Sequence, residues 1–114
     1  YRAAHSLLGM EDPPTAVFAC NDLMAVGVFG AAYERSFQVP DQLSVVGFDD
    51  IRLASFTNPP LTTVAQPKHE MGALAARILL DRMQDPEMAP RRRLLETKLL
   101  VRRSTASAPA GRKA

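Results

Sequence analysis

The spacing of hydrophobic positions along this chain switches between helical and strand-like blocks. Residues 1–9 place Ala3, Ala4, Leu7 and Leu8 on one side of a short helix, with Gly9 placed to end it. Glu11-Asp12-Pro13-Pro14 reads as a turn. Residues 15–20 (TAVFAC) are apolar and β-capable, which predicts a buried strand. Asn21 and Asp22 follow, and either can cap a helix by accepting from a free backbone N–H. That helix is predicted from about Asp22 to about Ser36. Its stretch 23–33 (LMAVGVFGAAY) carries no charge and is apolar nearly all round, although a helix on a sheet needs only one stripe. One face goes to the sheet, which leaves Val26, Phe29 or their neighbours for a second cover. Gly27 and Gly30 weaken the helix but permit close approach, on the sheet or on another subunit.

Residues 43–50 (LSVVGFDD) predict the central strand, an uncharged run covered on both faces and ending in two carboxylates. The strand–helix–strand spacing favours a right-handed parallel crossover. Residues 51–56 (IRLASF) read as a short helix stopped by Asn58-Pro59-Pro60, and 61–64 (LTTV) as a brief strand. Pro67 suits the opening of a helix. From about Lys68 to about Gln84, Met71, Leu74, Ala75, Ile78, Leu79 and Met83 recur at helical spacing, the cleanest amphipathic pattern in the chain. Residues 85–93 form a polar loop. Leu94-Leu95 and Leu99-Leu100-Val101 mark one or two short strands, and from Ser104 onward no burial pattern remains, which predicts a mobile tail. The fold class is therefore α/β with a mainly parallel sheet.

At 114 residues the chain suffices for one modest domain. Its formal charge of +2 is local, arising from Arg91-Arg92-Arg93, Arg102-Arg103 and Arg112-Lys113. Such clusters read as solvated turns and a basic tail, and no recognition helix accompanies them. One cysteine, Cys20, gives no disulfide or Cys-based metal site and reads as a small buried hydrophobe. No run is long enough to span a bilayer. The first residues carry no secretory signal and open as if in mid-helix.

In an open parallel sheet, ligands bind at the carboxyl ends of the strands. Asp49 and Asp50 leave the central strand there, and adjacent side chains face opposite ways. Asp49 then accepts hydrogen bonds from a ligand while Asp50 caps the helix behind it, or both are cap and turn residues. Asn21 stands at the matching exit of the neighbouring strand, either as a second ligand contact or as a helix cap. An amide and a carboxylate together suit a polyhydroxyl ligand. His5 and His69 lack metal-ligand partners at a recognised spacing. No serine sits in a nucleophile motif, and no glycine pattern forms a phosphate loop, so no enzyme and no cofactor are expected.

PPTAVFACNDLMAVG, VPDQLSVVGFDD, NPPLTTVAQP and LLVRRST occur in this order across residues 1–106. Together they resemble the C-terminal part of a LacI/GalR-family transcriptional regulator. The resemblance implies a periplasmic-binding-protein-like type I core, incomplete here, with an effector held between two subdomains. It assigns 1–64 and 94–106 to the C-terminal subdomain, 65–93 to a crossover and a helix of the N-terminal subdomain, and 107–114 to a disordered tail. It carries effector contact onto Asn21, Asp49 and Lys68, the last at a position where some members hold an aromatic. It places Val26, Leu53, Ala54 and Phe56 in a homodimer interface. It further implies a cytoplasmic regulator of sugar or similar metabolism, reaching operator DNA only through a helix-turn-helix that this sequence lacks. The alternative is a solute-binding protein of the same fold without DNA activity.

Overall fold

The computed structural model describes residues 1–108. In chain order its elements are α1 (Arg2–Leu7), β1 (Ala16–Phe18), α2 (Asp22–Glu34), β2 (Ser44–Asp49), a 3-10 turn (Arg52–Ser55), β3 (Thr62–Ala65), α3 (Lys68–Gln84) and β4 (Lys98–Leu100). The strands lie side by side in the order β1-β2-β3-β4. The first three are parallel, with Val45 opposite Val17 and Val46 opposite Thr62. β4 returns antiparallel to β3, setting Leu100 opposite Thr63. The central place of β2, the parallel crossover through α2 and the bounds of α3 match the sequence pattern.

The core lies between α2 and the sheet. Ala25, Val28, Ala31 and Ala32 of α2 meet Leu43 and Val45, while Ala4 of α1 and Leu8, which caps its end, close the outer side of α2. These α2 residues are small, so helix and strand approach closely and bury backbone as well as side chain. The close approach at Gly27 is made within the chain. A Cβ there would stand 2.8 Å from the backbone nitrogen of Tyr1, where the start of α1 crosses α2.

Three expectations about burial, for α1, β1 and β2, fail for one reason: this chain supplies few covering elements. Ala3 and Leu7 are exposed, and only the i, i+4 pair Ala4 and Leu8 faces α2. β1 is an edge strand, not a buried one. Its outer side has no neighbour among the described residues, Phe18 is 61% exposed, and Cys20 is exposed. β2 is covered on one face only, with Val45 and Gly47 buried and Ser44, Val46 and Phe48 half-buried between them. α3 has no buried residue at all. It extends from the sheet as an arm, consistent with principal extents of 58 × 26 × 26 Å. Its stripe residues Met71, Leu74, Ala75 and Ile78 meet Leu94 and Leu95 of the following loop around a groove of about 280 Å³.

The segment after β4 corrects a fourth expectation. Ser104 begins no free tail, because it is buried and laced to the sheet. Its hydroxyl donates to the Val45 carbonyl at 2.5 Å and accepts the Thr62 N–H at 2.8 Å. Its carbonyl accepts the Val45 N–H at 2.7 Å, and the Ala106 N–H reaches Ser44 Oγ at 3.1 Å. Within the tail expected over 107–114, residues 109–114 lie outside the described residues.

Candidate functional site

β1 and β2 run parallel, so both chains leave the sheet at the same edge. Past the last paired residues, Phe18 and Val46, the chain runs on from β1 to Asn21 and along β2 to Asp49, both at this edge. The Ala19 N–H still donates to the Val46 carbonyl at 2.8 Å, which carries the pairing beyond the strand. Asn21 is extended, and its Oδ1 accepts the Met24 N–H at 2.8 Å, so it does cap α2. The cap uses the oxygen and leaves the amide N–H donors without a partner among the described residues.

Asp49 and Asp50 form an unusual corner. Their φ angles are 112° and 52°, two successive non-glycine residues in the positive region. Such a path costs on the order of 1–3 kcal/mol per residue and persists where surrounding contacts enforce it. Those contacts come from two segments, the one between β3 and α3 and the one after β4. Gln66 Nε2 donates to Asp49 Oδ1. Arg102 pairs with Asp50 Oδ1 at 2.7 Å and with the Leu61 carbonyl at 2.9 Å. Lys68 Nζ donates to the Asp50 carbonyl at 3.0 Å. Asp50 therefore does not cap the short turn that follows. The cap position is Ile51, without a side-chain cap, and Asp50 turns instead to the guanidinium of Arg102.

Asp22, beside the expected site, was missed by sequence reasoning. It is 0% exposed, and its carboxylate spans three elements. Oδ1 accepts from Thr63 Oγ1 at 2.5 Å, and Oδ2 accepts the Ile51 N–H at 2.8 Å. The group thus ties the start of α2 to β3 and to the exit from the Asp49–Asp50 corner. A carboxylate beside the first N–H groups of a helix is also favoured by the helix dipole. Gly47 makes room for it: a Cβ on Gly47 would lie 2.3 Å from Asp22 Oδ1. The pattern acid-after-cap with a glycine in the next strand was the available signal, but it does not name the partners.

The structure brings Asn21, Asp49 and Lys68 to one edge. Val26 is half-buried, and Leu53 and Phe56 are exposed, Phe56 to 72%. Ala54 is 1% exposed, enclosed by its own chain. His5 Nδ1 lies 3.3 Å from Arg35 Nη2, and His69 is exposed on α3. A concavity of about 690 Å³ between Phe29, Tyr33, Phe37 and Asn58 sits at the opposite end of α2, away from this edge. The Tyr1 phenol is raised above its ordinary pKa, chiefly by its hydrogen bond to Glu34, and takes no part at this edge. Among the described residues no helix is long and apolar enough to cross a membrane.

The sequence matches the periplasmic binding protein-like domain over residues 1–105. It is 44% identical over 108 residues to the HTH-type transcriptional repressor CytR of Escherichia coli K12, covering 95% of this chain and 32% of that protein. It is 46% identical over 106 residues to the ribose operon repressor of the same strain, covering 93% of this chain and 32% of that protein. The chain thus spans about a third of the length of these relatives. Its fold superposes on a LacI-family transcriptional regulator from Enterococcus faecalis V583 with bound ribose, at a TM-score of 0.83 and 34% identity, covering 93% of this chain and 39% of that one. The chain belongs to the periplasmic binding protein-like domain family, in the form carried by LacI-family transcriptional regulators.

Proposed function

We propose that this chain is the effector-binding part of a dimeric, cytoplasmic LacI-type transcriptional repressor that senses a sugar or similar polar metabolite. The observation that carries the reading is the shared edge: the Asn21 cap and the Asp49 corner leave parallel strands side by side, beside Lys68. A carboxylate offers about four acceptor sites. Gln66 occupies one of those of Asp49, which leaves acceptors for sugar hydroxyls. The Asn21 amide supplies donors, and Lys68 supplies a cation over the same edge. The ribose in the Enterococcus regulator supports a sugar as the ligand class.

In this proposal the effector lies between two subdomains. Residues 1–64 and 94–106 form most of one, and α3 belongs to the other. The unburied stripe of α3 and the open outer edge of β1 support that division. Ligand bound in the cleft favours one closure of the two subdomains, and that difference sets the geometry of the DNA-binding region. Operator DNA is reached through a helix-turn-helix outside this sequence, and no catalysis is involved.

In the intact regulator, Asp49→Asn is expected to weaken effector affinity about tenfold or more, the scale of a lost charge-assisted hydrogen bond. Operator affinity without effector stays as in the parent. Equal effector affinity by calorimetry would remove Asp49 from the site. Dimerisation is proposed through Val26, Leu53 and Phe56, with Ala54 packed behind them. Phe56→Asp is expected to raise the monomer fraction in sedimentation, and a dimer of unchanged strength would discard that face.

A further inference from the structure

Two crossover segments converge on the Asp49–Asp50 corner. The segment from β3 to α3 contributes Gln66 and Lys68, and the segment after β4 contributes Arg102. Their targets differ. Arg102 takes the Asp50 carboxylate and Lys68 a backbone carbonyl, and neither touches the proposed ligand acceptor. Gln66 donates to the Asp49 carboxylate itself. It is also the residue directly after β3, and its carbonyl accepts the Lys68 N–H at 2.8 Å where α3 begins. The Met71 N–H completes the first turn by donating to the Pro67 carbonyl at 2.8 Å.

We infer that Gln66 is a positioning residue that couples the state of Asp49 to the junction between sheet and arm. In the free chain the Gln66 amide orients the Asp49 carboxylate and is itself held at the mouth of the crossover. A hydroxyl that takes up Asp49 lone pairs competes with that amide, or fixes the carboxylate and thereby the amide. Either response is transmitted to the first turn of α3 through one side chain. The packing around it favours such a route. Gln66 is half-buried, α3 buries no residue of its own, and beside Gln66 the start of the arm is tied to the corner by the Lys68 bond to the Asp50 carbonyl. The ligand-linked half of this inference rests on the sugar-acceptor reading of Asp49; the Asp49–Gln66 coupling does not.

The test is amide exchange by NMR on the whole chain, read at Lys68 and Met71. Two variants break the link from opposite ends. Gln66→Ala removes the donor. Asp49→Gly removes the acceptor while tolerating the positive φ. Each is expected to speed exchange at these two amides about tenfold, and the double variant no further, because both single changes delete the same bond. Effects that add, or an Asp49→Gly chain with parent exchange rates, would overturn the coupling. D-Ribose then probes the ligand-linked half. Shifts at Asn21 and Asp49, with altered Lys68 and Met71 exchange in the parent but not in Gln66→Ala, are the expected result. Ribose shifts at Asn21 with no response at Lys68 in the parent would overturn transmission through Gln66. Absence of any ribose shift beside an intact mutational coupling would sustain the positioning role and count against the sugar reading alone.

Discussion

The helices α2 and α3 are opposites in pattern and in fate. α3 carries the clearest apolar stripe in the chain, yet none of its residues is buried. α2 shows almost no sidedness, yet contributes Asp22, Ala25, Val28, Ala31 and Ala32 to the interior. An amphipathic stripe states that a helix needs a partner surface; it does not state that the same segment supplies one. α2 obtains two partners, the sheet on one side and α1 on the other. The comparison divides the molecule into a packed half, where each side chain is held by several neighbours, and an arm, where few are.

Substitutions separate these two regimes. Asp22→Ala has the largest expected effect, about 3 kcal/mol, because the Ile51 N–H and the Thr63 hydroxyl lose their buried acceptor. Urea denaturation followed by circular dichroism measures it, and a loss below about 1 kcal/mol would show that these groups find other partners. Gly47→Ala follows at about 2 kcal/mol, since the added methyl meets both Asp22 Oδ1 and Leu61 Cδ2 within 2.9 Å. Leu79→Ser on the arm is expected to stay within about 0.5 kcal/mol, because Leu79 is already 61% exposed. A large loss at Leu79 would dissolve the division, most simply by revealing that the arm is covered in solution.

The same division explains what was legible beforehand. The β2 run and the 68–84 stripe depend on local periodicity, and the structure returns them nearly residue for residue. Burial did not follow, because it depends on which surfaces arrive from elsewhere. The apolar run at 15–20 reads as an interior strand, but with a single neighbour it leaves Phe18 and Cys20 in solvent. At the candidate site, the shared edge of Asn21 and Asp49 was legible because strand exits have a fixed geometry, whereas Lys68 came from the family resemblance alone. Gln66, Arg102 and Asp22 were not legible, because their partners lie 17, 52 and 41 positions away along the chain. Ser104 was missed likewise: a serine in a polar stretch gives no hint that its hydroxyl bridges two strands.

The turn at 49–50 restricts which side chains can occupy the rim. A left-handed backbone admits asparagine, aspartate and glycine readily and penalises branched or bulky residues. Exchanging acid for amide at position 49 keeps a residue type suited to this backbone and still offers an oxygen to Gln66, while replacing half of the acceptor edge by donors. At position 49 a single change of charge therefore alters what the rim offers to a neighbouring molecule without asking the backbone for a new path.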